Sequence, residues 1–362
     1  MKKICFVIYD FSVFGGVEKV LSVLANSLSE RYEVHVVSIC SENECVAYEL
    51  KNSVKYSVLS DAPGRIRNLA IECFPKLKSY IKSNNIDIVL LMGNYPVPIC
   101  LPIKPFVKAK FVYCDHGSIA NEIEKKDITL FRKLAAKFCD KVVTLTQRNL
   151  EDYRKLFATK PKKLDCIYNA IDSKIFDYAS ECYDVNSKKI ITAGRFTTEK
   201  GFLMLVDVAN DVLNKHKDWR WDLYGDGEEF EKVKDKIISL NLQDRLILKG
   251  MVSDIYKRYK DYSMYVLPSY REGLPLVLLE SKANRLPIVS FDVTTGPREI
   301  VSNEKNGFLI PCYDKEFMAR EICKLIENEE LRKEFSMNSY DNIDLFKEEA
   351  IIKKWISLIE NI

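Results

Sequence analysis

The chain of 362 residues carries 55 Lys and Arg against 52 Asp and Glu, a formal net charge of +3, and is 47% apolar and 30% charged. That length predicts about two domains with sizeable cores, and the composition is globular rather than disordered or fibrous. The charge balance argues against a dedicated nucleic-acid binder, and no apolar run approaches the ~18 residues that span a bilayer.

In chain order, residues 1–10 hold two lysines and a short apolar stretch with no small-residue cleavage site. They read as a first strand rather than a signal peptide. Further β-branched runs follow at 33–39, 54–58, 86–91, 109–113, 141–145 and 163–167. Helical patterns lie between most of them, as over 17–30, where Val17, Val20, Leu21 and Leu24 recur at helical spacing. This alternation predicts a parallel sheet covered by helices on both faces. The rhythm pauses over 169–188, rich in Asp, Ser and Tyr, and restarts at 188–193. Strands are then expected near 220–223, 246–248, 263–267, 287–290 and 307–310. From about 314 the chain reads as helical, ending in a stripe of Ile351, Ile352, Trp355, Ile356 and Ile359. The expected fold class is α/β, with two doubly wound Rossmann-like domains at 1–172 and 189–340, a linker at 173–188 and a closing helix within 341–362.

Eleven cysteines, with no Cys-x-x-Cys pair, and three histidines give no zinc-ligand spacing. Most of the cysteines sit in apolar runs, where a thiol behaves as a small buried hydrophobe, and a reducing, cytosolic compartment is expected. Charge is uneven locally: residues 102–163 hold 15 basic and 7 acidic side chains, including Lys125, Lys126 and the stretch 130–138. This stretch reads either as a solvated helical face or as a patch that touches anionic lipid.

In open α/β sheets, ligands bind beyond the carboxyl ends of the strands, so residues just after strands carry the candidate chemistry. Gly15 and Gly16 follow the first strand and open a helix, where free amides favour an anion. They do not complete a dinucleotide fingerprint or a P-loop. Arg195 and Lys200 flank a turn before Gly201 and another helix, a placement that can converge on a diphosphate. Later, Gly273 and Pro275 predict a helix start with Glu272 near the cap, leaving Glu280 about two turns into an apolar helix. Eight helical residues rise about 12 Å, wider than the about 5–9.5 Å of glycosidase carboxyl pairs. The two glutamates are therefore read as spaced along one extended ligand. His116 follows an apolar strand within Asp115-His116-Gly117; a lone histidine there is most often a packing or capping residue.

Together and in order, these segments resemble the GT-B glycosyltransferases of family 4, the retaining nucleotide-sugar enzymes. The matching pieces are Gly15-Gly16-Val17-Glu18, His116-Gly117, Gly194-Arg195 with Lys200-Gly201, Tyr224-Gly225-Asp226-Gly227, Glu272 with Glu280, and Gly296 with Glu299. Two departures stand out: Thr295 occupies a frequent glycine position before Gly296, and Asn169-Ala-Ile-Asp172 replaces Asn-Gly-Val-Asp.

The resemblance implies two domains facing a cleft, the donor held mostly by the C-terminal one and the acceptor by the N-terminal one, with the last helix crossing back to the first domain. It implies that Arg195 and Lys200 neutralise the diphosphate, with the Gly16 amide beside it. Glu280 would hold the ribose, and Glu272 with the amides of Gly273 and Leu274 the sugar. His116 would face the sugar, and the base would lie near Gly250 and Met251.

No Asp-x-Asp occurs, so catalysis without a metal or other cofactor is expected. The expected activity is transfer of a hexose or N-acetylhexosamine from a UDP-sugar to a polyprenyl-lipid-linked bacterial surface glycan, at the inner face of the cell membrane. Other readings are a GT-B epimerase or phosphorylase, or a non-catalytic sugar-nucleotide-binding scaffold.

Overall fold

A computed structural model of the chain describes residues 1–41, 46–179, 183–252 and 254–362. Each predicted β-branched run becomes a strand. In the first sheet these are β1 (Lys3–Asp10), β2 (Glu33–Cys40), β3 (Lys55–Ser60), β4 (Ile88–Met92), β5 (Lys110–Asp115), β6 (Lys141–Thr144) and β7 (Leu164–Cys166). In the second they are β8 (Lys189–Ala193), β9 (Arg220–Tyr224), β10 (Leu246–Gly250), β11 (Met264–Leu267), β12 (Ile288–Phe291) and β13 (Gly307–Ile310). The spatial orders are β3-β2-β1-β4-β5-β6-β7 and β10-β9-β8-β11-β12-β13, and every pairing is parallel. Both sheets are therefore doubly wound. Central strands such as β4, Ile-Val-Leu-Leu-Met, are buried along their whole length because helices cover both faces.

The order reverses between β1 and β4 in one sheet and between β8 and β11 in the other. Such switch points open a crevice at the carboxyl ends of the strands, because the two neighbouring connections leave on opposite faces.

The chain divides into two units, residues 1–170 with 348–362, and residues 171–347. The first unit ends at Ala170, and the returning segment is the helix Glu348–Glu360, while 341–347 stays with the second unit. That helix buries Ile351, Trp355, Leu358 and Ile359 in the first unit. Lys2 Nζ donates to the Ile359 carbonyl at 2.7 Å, and Tyr32 Oη donates to Glu360 at 2.7 Å.

The expected linker is partly built. Residues 173–177 form a 3-10 turn with Ile175 buried, Tyr183 Oη donates to the Ser263 carbonyl at 2.6 Å, and Arg332 reaches the Val185 carbonyl. Its residues 180–182 lie outside the described residues. Of the described cysteines, seven are buried, Cys166 is half-buried and Cys312 exposed; Cys45 and Cys182 lie outside the described residues.

Not every cation of the basic stretch is solvated. Arg132 is fully buried against Asp115, and Lys163 Nζ donates to the carbonyls of Ala136, Lys137 and Cys139, capping the helix Lys126–Phe138. Lys104 is tied to Asp140 and the Phe138 carbonyl. Lys126, Lys133 and Lys137 are left exposed beside Leu130 and Phe138. Among the described residues no helix is long and apolar enough to cross a membrane.

Candidate active site

In the second unit the candidate residues collect where β8 and β11 end. Past Ala193 the chain enters a loop whose path is set by its neighbour after β9: Gly194 N–H donates to the Tyr224 carbonyl at 3.0 Å and Phe196 N–H to the Asp226 carbonyl at 2.9 Å. Gly201 then starts the helix Phe202–Lys215 with φ +70°. A side chain there would place its Cβ 2.3 Å from the Pro268 carbonyl oxygen, so only glycine lets this helix start touch the loop leaving β11. That close approach sets Lys200 beside Glu272, with Nζ and Oε1 2.7 Å apart. The Glu272 carboxylate is almost fully enclosed, so the ion pair gives a low-dielectric site one fixed cation and one fixed acceptor. Arg195 is exposed and makes no ion pair among the described residues.

The next helix begins later than expected, at Leu276 with Pro275 in the capping position. Glu272 therefore sits on the preceding loop, and the helical rise anticipated between the two glutamates does not apply. Pro275 explains the shift: its ring fixes φ near the helical value but its own ψ here is extended, so the turn opens one residue after it. Glu280 is a little over one turn inside the helix, buried, and accepts from Tyr259 Oη at 2.7 Å. Across the loop, Gly296 (φ +97°) would carry a Cβ 2.6 Å from the Gly273 carbonyl oxygen, and Thr295 Oγ1 donates to the Glu272 carbonyl at 2.6 Å. Leu274 is buried, and Met251 is exposed just past β10.

Gly15, Gly16 and His116 belong to the first unit. Gly15 caps the helix Gly16–Leu28 in an extended conformation at the end of the β1 connection. His116 follows β5 and sits above a buried ionic cluster. Asp115 accepts from Arg132 Nε at 2.9 Å and Nη2 at 3.1 Å, from Asn149 Nδ2 at 3.1 Å and from Tyr153 Oη at 2.8 Å. Its Oδ1 also accepts the Gly117 amide at 3.1 Å, which shapes the turn that carries His116. Burial by itself would raise the Asp115 carboxyl, but the Arg132 charge and these donors hold it below the usual carboxylate range. His116 lines a small, mostly apolar pocket with Val20, Leu24 and Trp355. Its Nε2 is buried with no hydrogen-bond partner among the described residues, and burial pulls the imidazole down to about 4. The ring is therefore neutral at pH 7 and can donate or accept without carrying charge.

The structure thus brings Lys200, Glu272, Gly273 and Gly296 together and places Glu280 on the following helix. Sequence reasoning missed Tyr259, which lies 21 residues from Glu280 and has no local signal, and the Arg132–Asn149–Tyr153 support beneath His116. It noted Thr295 as a departure that bears on donor-sugar contacts, without its hydrogen bond to the Glu272 carbonyl.

Residues 14–174 match the model of the glycosyltransferase family 4 domain, and residues 179–342 match that of the group 1 glycosyl transferases. The chain belongs to the GT-B glycosyltransferases of family 4. One relative is the amylovoran biosynthesis glycosyltransferase AmsD of Erwinia amylovora, 29% identical over 99% of this chain and 100% of that protein. Another is the Campylobacter jejuni N-acetylgalactosamine-N,N'-diacetylbacillosaminyl-diphospho-undecaprenol 4-alpha-N-acetylgalactosaminyltransferase, 25% identical over 92% of this chain and 93% of that one. Among solved structures, Staphylococcus aureus TarM, crystallised with UDP, superimposes with a TM-score of 0.85 over 100% of both chains at 17% identity, a likeness of fold. In this glycosyltransferase the two motif-bearing loops of the second domain meet at the β8–β11 switch point, the place that the doubly wound topology reserves for a ligand.

Proposed function

We propose that this glycosyltransferase moves a hexose or N-acetylhexosamine from a UDP-sugar, with retention and without a metal, to a hydroxyl of a lipid-linked bacterial surface glycan. The observation that carries the reading is the enclosed Lys200–Glu272 pair at the switch point, with Arg195 exposed nearby in sequence. In the reaction the bond between the anomeric carbon and the diphosphate oxygen breaks, the electron pair leaves with the diphosphate, the acceptor oxygen bonds to the same carbon, and the acceptor's hydroxyl proton passes to the departing diphosphate. Lys200 and Arg195 meet the negative charge that grows on the diphosphate, the task a divalent metal performs elsewhere.

Glu272 and the amides of Gly273 and Leu274 hold the sugar, Glu280 holds the ribose, and Met251 lies against the base. TarM was crystallised with UDP and the Campylobacter enzyme is named for a diphospho-undecaprenol-linked substrate, which supports the donor nucleotide and the acceptor class. The exposed Lys133, Lys137, Leu130 and Phe138 suit a membrane-borne acceptor through an anionic surface.

A calorimetric panel of UDP, GDP, ADP and their common sugars, run in EDTA, tests the core of the reading. Selective binding of UDP and one UDP-sugar is the expected result. Binding only with added metal overturns metal independence, and silence from every nucleotide overturns the transferase site. Flotation with anionic vesicles tests the membrane element; absence of binding at low salt removes it.

A further inference from the structure

Thr295 lies in the loop that follows β12, almost completely buried, and its hydroxyl donates to the Glu272 carbonyl oxygen at 2.6 Å. The neighbouring Gly296 brings this loop into backbone contact with Gly273. The chemistry of that hydrogen bond reaches further than its two atoms. The Glu272 carbonyl and the Gly273 N–H belong to one planar trans peptide, so they point in opposite directions and turn together. A donor that grips the carbonyl therefore sets where the Gly273 N–H points. This peptide lies outside the helix, which begins at Leu276, so no helical ladder holds it, and glycine on one side makes its rotation easy. On the other side the same residue carries the carboxylate paired with Lys200.

We infer that Thr295 is a positioning residue for the donor sugar: it aims the Gly273 N–H and holds the Glu272 backbone so that both address sugar oxygens. The inference rests on the donor-site reading above. It assigns Thr295 no contact with the nucleotide, because its hydroxyl is directed at the Glu272 carbonyl. Thr295 therefore governs the sugar's share of donor affinity and leaves the nucleotide's share alone.

The experiment compares UDP with UDP-glucose and UDP-N-acetylglucosamine, by calorimetry, on the full chain. Thr295→Val keeps the shape and removes the donor, and Thr295→Ser keeps the donor. For Thr295→Val, UDP affinity should stay within about twofold while affinity for the better UDP-sugar falls about tenfold, what one hydrogen bond from the Gly273 N–H to the sugar contributes. Thr295→Ser should restore the wild-type ratio. Hydrogen exchange at Gly273, read without any ligand, should be faster in Thr295→Val. Should the valine variant fail to fold, Thr295→Ala serves in its place.

Equal loss of UDP and UDP-sugar overturns the inference, since that is general damage to the site. Unchanged sugar affinity, or failure of serine to rescue, also overturns it. If wild-type protein binds no nucleotide, the donor-site reading itself fails, and this inference falls with it before any variant is compared.

Discussion

Lys200 and Glu272 are joined by an ion pair, which gives the two residues two roles that separate by experiment. Removing the lysine strips the proposed diphosphate site of a cation and takes the paired cation away from an enclosed carboxylate. Lys200→Ala should therefore lower kcat/KM by about 100-fold or more and also lower stability. Adding Glu272→Gln should recover the stability in urea denaturation without recovering transfer. Recovery of both would show that the ion pair is only structural.

His116 gives a second prediction at this scale. Its folded value of about 4 lies below the ordinary 6.5, so the unfolded chain binds the extra proton between those values. Its contribution to stability is complete above about 6.5 and is lost as pH falls toward 4. Denaturation midpoints should drop over that window, and His116→Gln should flatten the drop. Some slope will remain, because burial also lowers His35.

At the scale of elements, close packing of loops decides the site. Gly201→Ala forces a Cβ to within 2.3 Å of the Pro268 carbonyl at a positive φ. It should cost about 2 kcal/mol or more and, by moving Lys200, also reduce UDP binding in the same calorimetric assay. The Arg132 helix and the Asp115 strand end form a second such junction, fully enclosed on both sides. Arg132→Ala leaves the Asp115 charge without its cation and should destabilise the chain by about 3–5 kcal/mol in urea. Lys133→Ala, on the exposed side of the same helix, should be neutral. The contrast shows what counting charges leaves open: residue counts give charge but not direction, and adjacent positions on a helix point about 100° apart. The strands were legible because buried parallel strands are continuous apolar runs. The late helix start at Leu276 was less so, since Gly273, Leu274 and Pro275 fit either a first turn or a loop.

For the whole molecule, the chain returns to its first unit only at the end. Ending the chain at Lys347 removes Ile351, Leu358 and Ile359, each worth about 1.5–3 kcal/mol when buried, together with Trp355 and the bonds to Lys2 and Tyr32. Calorimetry of that truncation should show the transition of residues 1–170 lowered or lost while that of residues 171–347 persists. A single unchanged transition would refute the division.

The two doubly wound sheets and the order of the motif loops were legible in the residue pattern, and the motifs themselves carried the resemblance to the family. Those follow from local periodicity and from glycines and charges at strand ends, which depend on near neighbours in the chain. That Lys200 meets Glu272, that Tyr259 reaches Glu280 and that Thr295 holds the Glu272 carbonyl emerges only once the chain is folded. These partners lie 21 to 72 residues apart. Nothing local encodes such meetings; they exist because parallel strands deliver their following loops to one edge of the sheet, where packing selects which side chains touch.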